Sequence, residues 1–131
     1  MSRLMNSQRT SFHVHFPYIT LQLLEKIRVC LGGFPDVHQA WVFGIHALDN
    51  AKPTSDIDIA LSGNLDEKKM LKISSLVHQK LNISRKIGLI DYGVAEIVLK
   101  NHIDRDGVKI YDSEENFSDP HAKHKRKEII L

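Results

Sequence analysis

Residues 41–61 read WVFGIHALDNAKPTSDIDIAL, and this stretch decides the fold. An apolar run ends at Gly44, a polar loop follows, and a second apolar segment carries Asp56 and Asp58 near its start. Alternate side chains of a strand point to opposite faces, so the two aspartates share one face, and Ile57, Ile59 and Leu61 share the other. Two neighbouring carboxylates repel each other unless a cation lies between them, and their oxygen atoms suit Mg²⁺ or Mn²⁺. We therefore predict a metal site at the end of a sheet, beside a glycine turn that binds phosphate.

The composition predicts a single domain with one core. The chain has 131 residues, of which 42% are hydrophobic and 26% are charged. The net charge of +2 gives no overall attraction to nucleic acid or membrane, so we predict no direct nucleic-acid binding and no membrane binding. We also expect a cytoplasmic protein, because no apolar run is long enough for a membrane span and residues 1–16 are too polar for a signal peptide. The single cysteine, Cys30, excludes an intrachain disulfide and is expected to be a buried helix residue.

Three segments have the apolar spacing of amphipathic helices. The first begins after Thr20, a good N-cap, and ends at the glycine pair 32–33, where we expect a left-handed residue. The second begins at Asn64, which is placed to form a capping box with Glu67. The third is a weaker helix over residues 94–103.

The remaining apolar segments predict strands, at residues 37–43, 56–62, 86–92 and 108–111. The alternation of helices and strands predicts an α/β (α+β) domain, a small mixed β-sheet flanked by helices. We place this domain at residues 17–111. A polar segment, 1–16, precedes it, and a charged tail, 112–131, follows it with acidic residues first and basic residues after them.

The block around the aspartates resembles the signature of a known family. Gly44, the ten residues that follow position 45, and Asp56-x-Asp58 match the pattern Gly-Ser, ten residues, Asp-x-Asp of the minimal nucleotidyltransferases of the DNA polymerase β superfamily. The resemblance extends from the first helix to Tyr111. It implies a nucleotidyltransferase (polymerase β palm-like) fold, with Asp56 and Asp58 as catalytic and metal-binding residues and Mg²⁺ or Mn²⁺ as the cofactor.

The resemblance also implies a nucleotide site, for ATP or another NTP. Gly44, Ile45 and Ser55 would bind the nucleotide, because the glycine lets the backbone approach the phosphates and the short helix after it presents N–H groups. In the family, an acceptor hydroxyl attacks the α-phosphate while two metal ions stabilise the attacking and leaving oxygens.

The main departures from the family pattern affect positions that are expected to contact phosphate and metal. Ile45 replaces the serine whose hydroxyl contacts phosphate, and Gly88 falls where a third carboxylate is expected. Asp91 and Glu96 are nearby acids, but Asp91 is an odd number of residues from position 88, which points to the opposite face of a regular strand. The sequence leaves open whether either acid replaces the third carboxylate.

The resemblance leads to two hypotheses about function. The first is the antitoxin-like half of a HEPN/MNT toxin–antitoxin pair, which would transfer AMP from Mg-ATP to a HEPN-type helical toxin protein. We expect a domain this small to lack a separate acceptor-binding domain, so that another chain would present the acceptor. The alternative, motivated by Ile45 and Gly88, is a catalytically inactive nucleotidyltransferase fold that acts as a partner-binding module. An enzyme for a small acceptor such as an aminoglycoside is less favoured, and a homo-oligomer stays open.

Overall fold

The computed structural model describes residues 15–48 and 50–115. The elements follow the chain as helix α1 (Leu21–Gly32), strand β1 (Val37–Phe43), a 3₁₀ turn (Gly44–His46), strand β2 (Ile57–Gly63), helix α2 (Glu67–Leu81), strand β3 (Ile87–Asp91), a second 3₁₀ turn (Tyr92–Val94), helix α3 (Ile97–Asp106) and strand β4 (Val108–Asp112). Most of the predicted terminal segments, 1–16 and 112–131, lies outside the described residues. In the part of the chain that is described, no helix has the length and hydropathy of a membrane span.

The strands form one mixed sheet in the order β3-β2-β1-β4. Strand β1 pairs antiparallel with both β2 and β4, whereas β2 and β3 are parallel. The parallel pair follows from helix α2, which carries the chain back across the sheet between the two strands. The predicted α/β (α+β) class, a small mixed sheet flanked by helices, is therefore confirmed.

One face of the sheet forms the main core with α1 and α2. The alternation predicted for β2 is observed, since Ile57, Ile59 and Leu61 are fully buried on this face. They pack with Leu24, Leu31, Ile73 and Val77 of the two helices, and with Cys30, which is buried as predicted. Burying each large aliphatic side chain contributes roughly 1.5–3 kcal/mol, so this face supplies most of the stability.

The opposite face is covered only in part. Trp41 lies beside Ala60 in the β1–β2 register, and the ring centroids of Trp41 and Tyr92 are 5.7 Å apart, which places the second 3₁₀ turn on this face. Helix α3 packs against β1, and its buried residue Ile103 lies outside the main core cluster. Asp58 is on the same face, beyond the part that Trp41 and Tyr92 occupy, and is half-buried.

The ends of the first helix test the predicted capping signals. Thr20 caps α1 as predicted, since its hydroxyl accepts a hydrogen bond from the N–H of Leu23 at 3.1 Å. The left-handed residue expected at the glycine pair 32–33 is wrong, because Gly33 has a right-handed conformation with φ −80°. The helix instead ends in tight turns, in which the N–H of Gly33 bonds to the carbonyl of Cys30 and that of Phe34 to the carbonyl of Leu31.

The starts of the other two helices differ from the prediction. Asp66, not Asn64, is the N-cap of α2, and its carboxylate accepts a hydrogen bond from the N–H of Lys69 at 2.8 Å. The N–H of Asn64 bonds to the carbonyl of Asp36, so the chain has not yet left the sheet at that point. Helix α3 begins at Ile97 rather than at residue 94, because the preceding 3₁₀ turn is followed by extended backbone.

The edge strand β4 is fastened by charged groups that are buried. Arg28 of α1 donates a hydrogen bond from Nε to the carbonyl of Ile110 at 2.8 Å. The buried carboxylate of Asp112 accepts hydrogen bonds from Gln39, from Lys109 and from the N–H of Glu114. Burial alone would raise the pKa of Asp112, but these hydrogen bonds together outweigh it and hold the pKa below its ordinary value.

We predict that Asp112→Ala lowers the free energy of unfolding at pH 7 by about 2 kcal/mol, because Gln39 and Lys109 lose their buried acceptor. A carboxylate with a lowered folded-state pKa contributes fully above the unfolded value, about pH 4, and its contribution is lost as the pH falls through the folded value. The difference from the unmodified chain should therefore shrink between pH 5 and pH 3 in urea unfolding curves. Glu114→Ala, which keeps the N–H, is the control and should change stability by less than about 0.5 kcal/mol. An equal loss at every pH would contradict this account of Asp112.

Candidate active site

The glycine turn after β1 lies directly against the carboxylate of Asp58. Phe43, the last residue of β1, pairs with Asp58 of β2, and Gly44 follows with φ +75°. A Cβ atom at Gly44 would lie 3.0 Å from Asp58 Oδ2. Glycine is therefore favoured here, chiefly for its backbone conformation and also for the close approach to the carboxylate. The side chain of Ile45, the next residue of the turn, is exposed.

The two aspartates interact electrostatically. Asp58 lies within β2 and is half-buried, whereas Asp56 immediately precedes the strand and is exposed. Burial raises the pKa of Asp58, and the charge of Asp56 raises it further, while His46 and Lys86 act in the opposite direction. The prediction that β2 includes Asp56 is wrong by one residue, because regular pairing begins at Ile57.

The loop before Asp56 is anchored by buried and backbone contacts. His46 is buried, and its Nε2 donates to the carbonyl of Ser55 at 3.2 Å, while its buried Nδ1 makes no hydrogen bond within the described residues. Ser55 Oγ accepts from the N–H of Lys52, so this hydroxyl closes the loop's own turn. Arg85 donates to the carbonyls of Tyr18 and Pro53. These contacts hold the chain that delivers Asp56 close to the glycine turn.

The neighbouring strand brings no third carboxylate to the pair. Gly88 is the register partner of Asp58, and a Cβ atom there would lie 3.2 Å from Asp58 Oδ1. Asp91 pairs instead with the core residue Leu61, and its carboxylate accepts a hydrogen bond from the N–H of Gly93 at 2.9 Å. Glu96 is exposed ahead of α3. The question that the sequence left open is thus answered for the described residues: neither acid joins Asp56 and Asp58.

The carboxylates of Asp56 and Asp58 fit a cation whose remaining ligands are substrate phosphates. Within residues 15–48 and 50–115, no group of three or more His, Cys, Asp or Glu side chains is arranged to hold a metal ion. Mg²⁺ in proteins is commonly held by one or two carboxylates together with substrate phosphates, rather than by an all-protein cage. A mutually repelling pair that accepts no hydrogen bond from the described residues suits that mode, and it does not supply the ligands of a second ion.

Lys86 belongs to the site, although sequence reasoning assigned it only to a strand. Its carbonyl accepts a hydrogen bond from the N–H of Ile57 at 2.9 Å, which puts Lys86 beside Asp56 just as Gly88 lies beside Asp58. A signal was present, because the spacing of Lys86 and Gly88 repeats that of Asp56 and Asp58. Recognising it requires knowing that the strands are parallel and in which register they pair.

Comparisons with known proteins agree with this geometry. A family model described as "Polymerase beta, Nucleotidyltransferase" matches residues 25–116. Among solved structures, a toxin–antitoxin complex with AMP-PNP contains a chain with 22% identity and a TM-score of 0.59, and the match covers 82% of this chain and 94% of that one. A complex of tri-AMPylated Shewanella oneidensis HEPN toxin with MNT antitoxin matches with 23% identity and a TM-score of 0.54, over 83% of this chain and 94% of the other. No curated protein sequence matches the chain.

We predict that Gly44→Ala lowers the free energy of unfolding by about 1–2 kcal/mol. Alanine is strained in the left-handed backbone conformation of this residue, and its Cβ atom would crowd the Asp58 carboxylate. Gly33→Ala is the matched control, since Gly33 has an ordinary right-handed backbone and its Cβ atom would meet only the Cys30 carbonyl at 3.4 Å. Chemical denaturation of the two variants measures the difference. Equal stability of both variants would show that the turn does not depend on glycine.

Proposed function

Because the chain belongs to the polymerase β nucleotidyltransferase family, we propose that it binds Mg-ATP, or another Mg-nucleoside triphosphate, at Asp56 and Asp58. The observation that carries this proposal is the half-buried carboxylate of Asp58 against the positive-φ turn at Gly44, with Asp56 beside it. The two carboxylates would hold Mg²⁺ or Mn²⁺. The backbone of Gly44 and Ile45 would face the phosphates, and Ser55 would contribute through the loop that it closes.

The proposed partner is a HEPN-type helical toxin protein, with this chain as the antitoxin-like half of the pair. Support comes from the likeness to chains of MNT–HEPN complexes, and from an apolar surface near the second 3₁₀ turn. Val94, Ile97 and Val98 expose 80%, 67% and 77% of their surface, which is unusual for aliphatic residues so close together. A protein in this role would act in the cytoplasm.

The transfer reaction would form a bond between an acceptor hydroxyl oxygen and the α-phosphorus of ATP. The bond between the α-phosphorus and the oxygen that bridges it to the β-phosphate would break, and pyrophosphate would leave. Asp56 and Asp58 would hold the cation and would orient the nucleotide through it, and the partner would present the hydroxyl. When bound, the cation would supply positive charge to the phosphates. Removal of the hydroxyl proton is the step for which the chain provides least, since Gly88 stands where a carboxylate would act.

We predict that Mg-ATP binds to the purified chain and that Asp56→Asn and Asp58→Asn each weaken binding by roughly tenfold or more, equivalent to about 1.4 kcal/mol, because one ligand of the cation loses its charge. Asp91→Asn is the control. Its carboxylate lies in register with the core residue Leu61, so its substitution should leave the affinity unchanged. Isothermal titration calorimetry measures all four proteins.

Equal weakening by Asp91→Asn, or Mg-ATP binding that survives both site substitutions, would contradict the proposed site. Transfer of labelled AMP to a candidate HEPN partner, measured with the unmodified chain and with Asp58→Asn, tests the catalytic part separately.

A second function, the inactive partner-binding module, is favoured by one specific observation: the residue that pairs with Asp58 is Gly88, which has no side chain to supply a carboxylate. Under this alternative the unmodified chain transfers no AMP, while the double variant Ile45→Ser, Gly88→Asp gains transfer, because it restores a phosphate ligand and a third carboxylate. General acid–base catalysis contributes roughly 10²–10⁴-fold, which sets the scale of the expected gain. Turnover by the unmodified chain would exclude the inactive module.

A further inference from the structure

The third strand of the site carries a positive charge in place of a carboxylate. In the parallel register of β2 and β3, Gly88 is opposite Asp58, and the hydrogen bond from the N–H of Ile57 to the carbonyl of Lys86 puts Lys86 opposite Asp56. Because side chains two residues apart share a face, Lys86 is on the same face as Gly88. Strand β3 therefore faces the two aspartates with the ammonium group of Lys86 and with Gly88, which has no side chain.

The Lys86 side chain is free to bind a ligand. It is exposed, and it makes no hydrogen bond or ion pair with the described residues. Two of the other basic side chains around the loop are engaged: His46 Nε2 donates to the Ser55 carbonyl, and Arg85 donates to the Tyr18 and Pro53 carbonyls. Nothing on the neighbouring position 88 separates Lys86 from the Asp58 carboxylate.

The charge balance of the site favours a single cation. Three carboxylates carry a charge of −3 and attract two divalent ions, whereas Asp56, Asp58 and Lys86 together carry −1. An ammonium group near such a cation would interact favourably with phosphate oxygens, as lysine does in other phosphate sites.

We propose that Lys86 is a nucleotide-binding residue whose ammonium group contacts the triphosphate of a nucleotide held, through one divalent cation, by Asp56 and Asp58. This inference rests on the proposed function and adds to it the group that supplies positive charge on the β3 side. It also explains how a site with two carboxylates binds a polyanion without a second metal ion.

The test is a charge series at position 86, with Mg-ATP affinity measured by calorimetry. We expect Lys86→Arg to bind within about threefold of the unmodified chain, Lys86→Ala to bind roughly tenfold more weakly and Lys86→Glu roughly a hundredfold more weakly, since tenfold corresponds to about 1.4 kcal/mol. Lys72→Ala is the matched control, because Lys72 is an exposed lysine of α2, which packs on the core face of the sheet, and its loss should not change the affinity. Urea unfolding of each variant identifies any loss of folding.

Affinities that are equal for Lys86→Ala and the unmodified chain would overturn this inference while leaving the proposed function intact. Weakening in the order Arg, Ala, Glu with unchanged unfolding free energies would support it. If Lys86 only relieved repulsion between the aspartates, Lys86→Ala would lower stability and keep its affinity, which also overturns the inference. Absence of Mg-ATP binding by the unmodified chain would overturn both proposals.

Discussion

The site depends on the antiparallel pairing of β1 with β2. This pairing ends with Phe43 opposite Asp58, so the chain must turn at the point where the carboxylate lies. A side chain at this turn would need a left-handed backbone and would crowd Asp58 Oδ2, and the turn residue is Gly44. The same two strands hold the fully buried Ile57 and Ile59 in the core. Packing energy on one face of the sheet thereby sets the position of charged groups on the other.

A consequence is that the two aspartates are positioned in different ways. Asp58 is fixed by its strand, and burial together with repulsion from Asp56 raises its pKa. Asp56 is exposed and is positioned by the loop, chiefly through the buried His46 and its contact with the Ser55 carbonyl. A charged group that is half-buried and without a hydrogen-bonding partner among the described residues costs stability, and proteins retain such groups where a ligand compensates them.

Local signals in the sequence predicted the parts of the structure that depend on local interactions. Strand β1 was predicted with its observed ends, and the hydroxyl of Thr20 caps α1 as expected. The alternation in β2 is also observed, and Gly88, which was assigned to the position of the third carboxylate, pairs with Asp58. These predictions succeeded because periodicity, helix capping and the family's motif spacing each depend on residues that are close together in the sequence.

The errors arise where a distant segment competes with a local preference. Asn64 has the residue type of a helix cap, but its N–H bonds to Asp36 far along the chain, and the helix begins only after Asp66. The place of Lys86 beside Asp56 depends on a parallel register between strands that a helix separates. No pattern within either strand predicts that register, so the positive charge of the site became visible only in the folded chain.

The central claim is that Asp56 and Asp58, set against the turn at Gly44, hold one nucleotide-borne cation. A crystal structure of the chain with Mn²⁺ and a non-hydrolysable ATP analogue, with manganese located by its anomalous scattering, tests this most directly. The account predicts one manganese ion between the two carboxylates, with the triphosphate beside the turn. Two ions at the site, or a single ion bound away from these aspartates, would contradict it.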